Sequence, residues 1–143
     1  LTFRTVPYHD TVYNTRKNDN EEQSAELAEK RLSGAGLKSP FIDKVISLIM
    51  ITKHQIAPEE LDQQYLIDID LSILGKSQRE FEEYEKNIRE EYSWVPEEQF
   101  RAGRQVVLQR FLERDSIYST DFFRKKYENQ AIRNIENSLA SRR

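Results

Sequence analysis

Residues that interrupt regular secondary structure are scarce in this chain, which holds only four Gly and four Pro in 143 residues. A β-rich protein needs frequent turns and is usually richer in both, so their scarcity favours long helices. Apolar residues also recur at the spacing of one helix face, as at Ala25, Ala28 and Leu32. The sequence therefore predicts one all-α domain over residues 1–143, a bundle of about five to seven helices.

Capping residues and helix breakers predict where the helices begin and end. Asn18 or Asp19 can cap the first long helix, which Gly34 and Gly36 would end. Glu21 or Glu22 stands three residues beyond the cap, at capping-box spacing. Further helices are predicted to begin at five places with N-terminal chemistry: Ser39–Pro40, Glu59, Ser77, Pro96 and Thr120.

Three apolar patterns predict what these helices bury. Residues 41–51 are apolar on most of the helix circumference, which predicts a buried central helix. Residues 65–71 alternate apolar and polar side chains as a strand does, but no second strand candidate exists to pair with them, so a helix is predicted. Phe100, Val107 and Phe111 are predicted to share the buried face of a later helix.

Charge and composition exclude several classes of protein. The 22 Lys and Arg nearly balance the 25 Asp and Glu, giving a net charge of −3, which argues against a nucleic-acid partner. No Cys is present, so disulfides and thiolate metal sites are excluded and the reducing cytoplasm is expected. The longest apolar stretch, Val45 to Ile51, is far too short to cross a membrane, and no secretory signal is visible. The oligomeric state is left open.

His9 and Asp10 are the first candidates for chemistry. A neutral imidazole beside a carboxylate suits borderline and hard divalent cations such as Mn²⁺, Fe²⁺, Co²⁺, Ni²⁺ and Zn²⁺. Adjacent helix residues diverge by about 100°, so both can hold one ion only with further ligands from elsewhere. The alternative is a surface or capping His next to an Asp.

Two acids embedded in apolar residues, Asp68 and Asp70, are the second candidates. Burying a carboxylate is costly unless it is paired or holds a metal. Residues two apart on a helix point about 200° apart, so at most one of the two should face a given site. The alternative is that one acid caps the next helix and the other is solvated.

Lys53 and the acids near residue 20 have both structural and functional interpretations. Lys53 and His54 follow the central helix, where a cation meets the helix dipole favourably or, alternatively, contacts phosphate oxygens at the rim of a site. Asp19 and Glu21 either cap a helix or serve as general acid or base for a nearby metal site.

Motifs in a fixed order connect these candidates. The first half carries His9-Asp10-x-Val12-Tyr13, Asp19-Asn20-Glu21 with Ser24-Ala25-Glu26, Thr52-Lys53, and Asp68-x-Asp70-Leu71-x-x-Leu74-Gly75. The second half carries Glu91-Tyr92, Phe100-x-x-Gly103-Arg104-x-x-x-Leu108-x-x-Phe111-Leu112, Ile117-Tyr118 and Arg133-Asn134. Over nearly the whole chain, this order resembles a small family within the HD superfamily of metal-dependent phosphohydrolases.

The resemblance implies an all-helical fold that binds a divalent cation (Mn, Fe, Co, Ni, Zn or Mg). The ligands implied are His9, Asp10 and a later Asp, with Asp70 preferred and Asp68 the alternative. The implied reaction is hydrolysis of a phosphomonoester or phosphoanhydride by metal-activated water. The implied partner is a small phosphorylated substrate, for which a nucleotide is one candidate.

The resemblance also assigns supporting roles and shows one departure. Glu21 or Asp19 would relay the proton, while Lys53 and Arg104 would balance phosphate charge. The family's remaining metal-binding His lies on an upstream helix, and the eight residues before His9 contain none. The expectation is that upstream helices are missing from this sequence. The alternative is a catalytically inactive helical interaction module that retains a relic HD site.

Overall fold

A computed structural model describes residues 10–53 and 57–141, and within them the chain is all-α with no strand. This part of the chain forms α1 (Asn20–Gly34), α2 (Ser39–Ile51), α3 (Leu61–Asp70), a 3-10 helix (Leu71–Gly75), α4 (Gln78–Glu91), α5 (Glu97–Leu112) and α6 (Asp121–Ser141). The predicted all-α class is confirmed, and residues 65–71 are helical as predicted. None of these helices is long and apolar enough to cross a membrane.

The fold divides into two compact units, one ending at Ile67 and the other beginning at Asp68. The boundary falls inside the residue range of α3. The single domain expected over residues 1–143 therefore stays a prediction.

The first unit is built on the packing of α1 against α2. Ala25 and Ala28 of α1 form a buried cluster with Val45 and Ile49 of α2. Small residues on α1 let the two helices approach closely, while the larger side chains of α2 fill the space between them. The central helix is buried as predicted, with five buried side chains: Ile42, Val45, Leu48, Ile49 and Ile51.

The two ends of α1 differ in how well the sequence predicted them. Asp19 is the N-cap residue, but its side chain forms no capping bond and instead accepts a hydrogen bond from Gln23 at 2.7 Å. The capping box predicted here is therefore wrong. At the other end Gly36 adopts φ 77°, and the amides of residues 36 and 37 donate to the carbonyls of residues 33 and 32 at 3.0 and 3.1 Å. This is a Schellman motif, which requires the left-handed conformation that Gly adopts readily.

In the second unit, Ser77 caps α4 through a complete capping box with Glu80, as the position of Ser77 predicted. The predicted face of α5 needs one correction. Val107 is 41% exposed, whereas Leu108 is fully buried. The buried face runs through Phe100, Arg104 and Leu108 at intervals of four residues, because the ion-paired Arg104 takes the position between the two apolar side chains.

The 3-10 helix lies against α6, and Gly75 lies close to Tyr127 of that helix. A Cβ atom at Gly75 would lie 2.5 Å from the Cβ of Tyr127 and 2.7 Å from its carbonyl oxygen. Side-chain movement cannot relieve a clash with backbone. Only Gly therefore fits at this position.

We predict that Gly75→Ala destabilises the protein by about 1–3 kcal/mol or more, because the added methyl group overlaps α6. The matched control is Gly103→Ala on α5, where an added Cβ has nothing within 4 Å. That change should stabilise the helix by about 0.5–1 kcal/mol. Urea unfolding of both variants measures the difference, and equal effects would contradict the packing described.

Candidate functional site

The candidate residues of the first unit lie around the start of α1 and the end of α2. His9 and His54 fall outside the described residues. Asp10 is exposed, and Asp19 and Glu21 are half-buried at the start of α1. Lys53 stands two residues beyond the end of α2.

The segment after Asp10 is tied to α1 by two side chains one helical turn apart. Asn20 bonds both backbone groups of Asn14, accepting from its amide at 2.9 Å and donating to its carbonyl at 3.0 Å. Ser24, which is fully buried, accepts from the amide of Val12 at 3.0 Å. Residues at i and i+4 share a helix face, so the spacing of Asn20 and Ser24 suits this role.

Asp19 carries the one buried side-chain oxygen without a hydrogen-bond partner among residues 10–53 and 57–141. Its Oδ2 accepts from Gln23, but its Oδ1 is buried and unpaired. A buried carboxylate oxygen without a donor is costly. Oδ1 is therefore a point where a donor or cation would bind favourably.

Lys53 is ion-paired with Glu22, a residue that the sequence did not single out for binding. The hydrogen bond from Lys53 lowers the pKa of Glu22 below its usual 4.5. The pair borders a cavity of about 400 Å³ whose lining also includes Ser47, Met50 and Gln63. In this structure Lys53 neutralises an acid, and its role toward phosphate stays a prediction.

Asp68 is fully buried in the second unit and has a structural partner for each oxygen. Oδ1 accepts from the amide of Ser119 at 2.8 Å. Oδ2 accepts from the amide and the hydroxyl of Thr120 at 2.8 and 2.6 Å. Neither sequence interpretation anticipated this contact. Asp68 binds the segment that leads into α6, rather than the helix that follows it in sequence.

Asp70 is half-buried at the end of α3, where the chain changes from α-helix to 3-10 helix. The backbone after it is held by a hydrogen bond, since the hydroxyl of Tyr118 donates to the carbonyl of Leu71 at 2.9 Å. Farther along, Asn134 donates to the carbonyls of residues 74 and 76 at 2.8 and 2.9 Å. These bonds fix the backbone on which Asp70 is presented.

Arg104 forms a mostly buried ion pair with Glu85 of α4. Its Nε donates to Oε1 at 3.1 Å, and its Nη2 donates to the same carboxylate. Burial works against the charge of Arg104, but the hydrogen bonds and charge of Glu85 outweigh it and raise the pKa. The phosphate role proposed for Arg104 stays a prediction, and the structure gives the guanidinium a structural partner.

Tyr84 connects Arg104 with Asp70 electrostatically. The guanidinium of Arg104 lies 5.7 Å from the centroid of the Tyr84 ring. Burial raises the pKa of Tyr84, Arg104 lowers it, and the charge of Asp70 raises it further. Two of the residues predicted for the site, Arg104 and to a smaller extent Asp70, therefore influence the pKa of one half-buried phenol.

A divalent metal, which the resemblance implies, needs several donors at one point. Within residues 10–53 and 57–141, no three His, Cys, Asp or Glu side chains are grouped so that they could hold a metal ion. The predicted ligand set includes His9, which lies outside these ranges. The unpaired Oδ1 of Asp19 is the feature of the described chain that fits a nearby cation or hydrogen-bond donor.

We predict that Asp68→Asn destabilises the protein by about 3 kcal/mol. Both side-chain oxygens of Asp68 accept hydrogen bonds, whereas an Asn side chain has one oxygen and one NH₂ group, so one set of donors from Ser119 or Thr120 would face an N–H group instead of an acceptor. The control is Asp62→Asn on the same helix, whose half-exposed side chain lies 3.9 Å from Lys44. That change should cost about 0–1 kcal/mol. Chemical denaturation measures both, and a loss below about 1 kcal/mol for Asp68→Asn would contradict its structural role.

We predict that the Lys53–Glu22 pair makes stability depend on pH in the acidic range. Since the folded pKa of Glu22 is lowered, its contribution is present above pH 4.5 and is lost as the pH falls through the folded value. The melting temperature of Glu22→Gln should lie below that of the wild type at neutral pH and should converge with it in acid. Glu26→Gln, an exposed position on α1, is the control and should show no such convergence.

Comparison with known proteins gave no relatives: no family model, no curated protein and no solved structure matches this chain.

Proposed function

We propose that this chain belongs to a metal-dependent phosphohydrolase of the HD type, which hydrolyses a phosphomonoester or phosphoanhydride of a small substrate such as a nucleotide. The ordered motifs are the observation that carries the proposal. The different environments of Asp68 and Asp70 support it, because the buried Asp68 binds Ser119 and Thr120 while Asp70 is half-buried beside it. The proposal assigns Asp70 to the metal.

The remaining roles follow the residue chemistry. His9, Asp10 and Asp70 would hold a divalent cation, which when bound lowers the pKa of water and polarises a phosphoryl oxygen. Lys53 would leave its ion pair with Glu22 and bind the phosphate of the substrate, whose charge it would neutralise. An exposed ion pair is weak enough to open in this way. Arg104 would contribute positive charge while remaining paired with Glu85.

Asp19 is the better supported of the two candidates for moving the proton. Its Oδ1 is buried and lacks a hydrogen-bond partner within the described chain, so it can accept a proton or hydrogen bond without breaking an existing contact. The bond from Gln23 to Oδ2 orients the carboxylate. Glu21 lies two residues on and remains the second candidate.

The same proposal covers location and partners. A chain without Cys suits the cytoplasm, and a net charge of −3 suits a small-molecule substrate better than a nucleic acid.

A second candidate function is a helical interaction module with a relic HD site. The observation that favours it is the lack of a three-residue metal-binding group within residues 10–53 and 57–141. Metal binding separates the two candidates, because the module requires none.

We predict that the chain binds Mn²⁺, as measured by electron paramagnetic resonance titration, and that Asp70→Asn weakens binding at least about 10-fold by removing a ligand. Asp62→Asn, which removes the same charge from the same helix, should leave affinity within about twofold. Three protein ligands hold a metal weakly, so hydrolysis of nucleotides and generic phosphate esters by this chain with Mn²⁺ or Co²⁺ should be slow or absent, and any activity should follow the same order. Absence of Mn²⁺ binding, or equal affinity in both variants, would favour the interaction module.

A further inference from the structure

The segment that leads into α6 is bound by carboxylates along four consecutive residues. The amides of residues 117 and 118 donate to Glu128 at 2.7 and 3.2 Å. The amides of residues 119 and 120 donate to Asp68, both at 2.8 Å. Hydrogen bonds to charged acceptors are stronger than neutral ones, so this backbone segment has little freedom to move.

Tyr118 projects from the middle of this segment and is almost fully buried. Its ring packs against the rings of Phe123 and Tyr127, with centroids 6.0 Å away in each case. Its hydroxyl donates to the carbonyl of Leu71 at 2.9 Å. Burial raises the pKa of Tyr118, so the hydroxyl keeps its proton and stays a donor at neutral pH.

The contacts from this segment bracket Asp70. Asp68 is held two residues before it, and the carbonyl of Leu71 is held one residue after it. Asp70 is also the last residue of α3, and the 3-10 helix begins at the next residue. Where the helix type changes, the direction of a side chain depends on how the flanking backbone is held. The Tyr118 hydroxyl supplies one of the two flanking contacts.

We propose that Tyr118 is a positioning residue for Asp70. Its hydroxyl fixes the Leu71 carbonyl and, through it, the direction in which the Asp70 carboxylate is presented. The identity of the ion that Asp70 meets rests on the proposed function, whereas the fixing of its backbone does not. Tyr118 itself touches neither metal nor substrate.

The test compares Tyr118→Phe with Phe123→Leu. The first variant keeps the ring and removes only the hydroxyl, while the second weakens the same aromatic cluster and leaves the bond to Leu71 in place. Native-state amide exchange over residues 69–75 reports local order, and Mn²⁺ titration reports the presentation of Asp70. Both are measured where all variants are folded.

Tyr118→Phe should accelerate exchange over residues 69–75 about 5- to 10-fold relative to the rest of the chain, as expected for one lost hydrogen bond. It should also weaken Mn²⁺ binding about 10-fold. Phe123→Leu should change neither the relative exchange rate over residues 69–75 nor the affinity for Mn²⁺, although it lowers overall stability.

Each other outcome has a distinct meaning. If exchange over residues 69–75 is no faster in Tyr118→Phe than in Phe123→Leu, the inference is overturned. If exchange responds but the wild type and Tyr118→Phe bind Mn²⁺ equally well, Tyr118 is only structural and the positioning role is overturned. If the wild type binds no Mn²⁺, the proposed function fails, and the exchange comparison alone decides whether Tyr118 fixes the backbone at Asp70.

Discussion

The buried carboxylate of Asp68 joins the end of α3 to the start of α6, and the organisation of the second unit depends on this contact. Three hydrogen bonds reach it from Ser119 and Thr120. A buried carboxylate is tolerated only when its charge is compensated in this way, so the contact couples two segments that must be correctly placed together. Asn134 of α6 adds a hydrogen bond to the carbonyl of Leu74, and the lack of a side chain at Gly75 lets α6 pack closely against the 3-10 helix.

The helices could be predicted from the sequence because their signals are local. Ser77 and Glu80 lie three residues apart and cap α4 without help from distant residues. A local signal of the same type predicted a capping box at Asp19, and this prediction was wrong. The Oδ1 of Asp19 is instead buried without a hydrogen-bond partner among the described residues. The face of α5 was partly misassigned because a charged side chain, Arg104, occupies a buried position once Glu85 lies opposite it. The spacing of apolar residues along a helix does not indicate where a charged side chain is buried by an ion pair.

The candidate site was less predictable because its contacts join distant parts of the sequence. Asp68 and Thr120 are 52 residues apart, and Asn134 lies 60 residues from Leu74. Nothing in the local sequence around either partner indicates the other. Spacing did predict that Asp68 and Asp70 would differ in environment, since two residues on a helix diverge by about 200°. Spacing did not show that the buried acid would accept hydrogen bonds from the segment that leads into α6.

We propose that Asp68 and Asp70 have different roles, with Asp68 organising the second unit through its hydrogen bonds and Asp70 binding the metal. Side-chain carboxyl carbon resonances of both residues, followed by NMR during a Zn²⁺ titration, test this claim most directly, because a diamagnetic ion shifts the resonance of the carboxylate that binds it. We expect the Asp70 resonance to move while that of Asp68 stays in place. Movement of the Asp68 resonance alone, or equal movement of both, would contradict it.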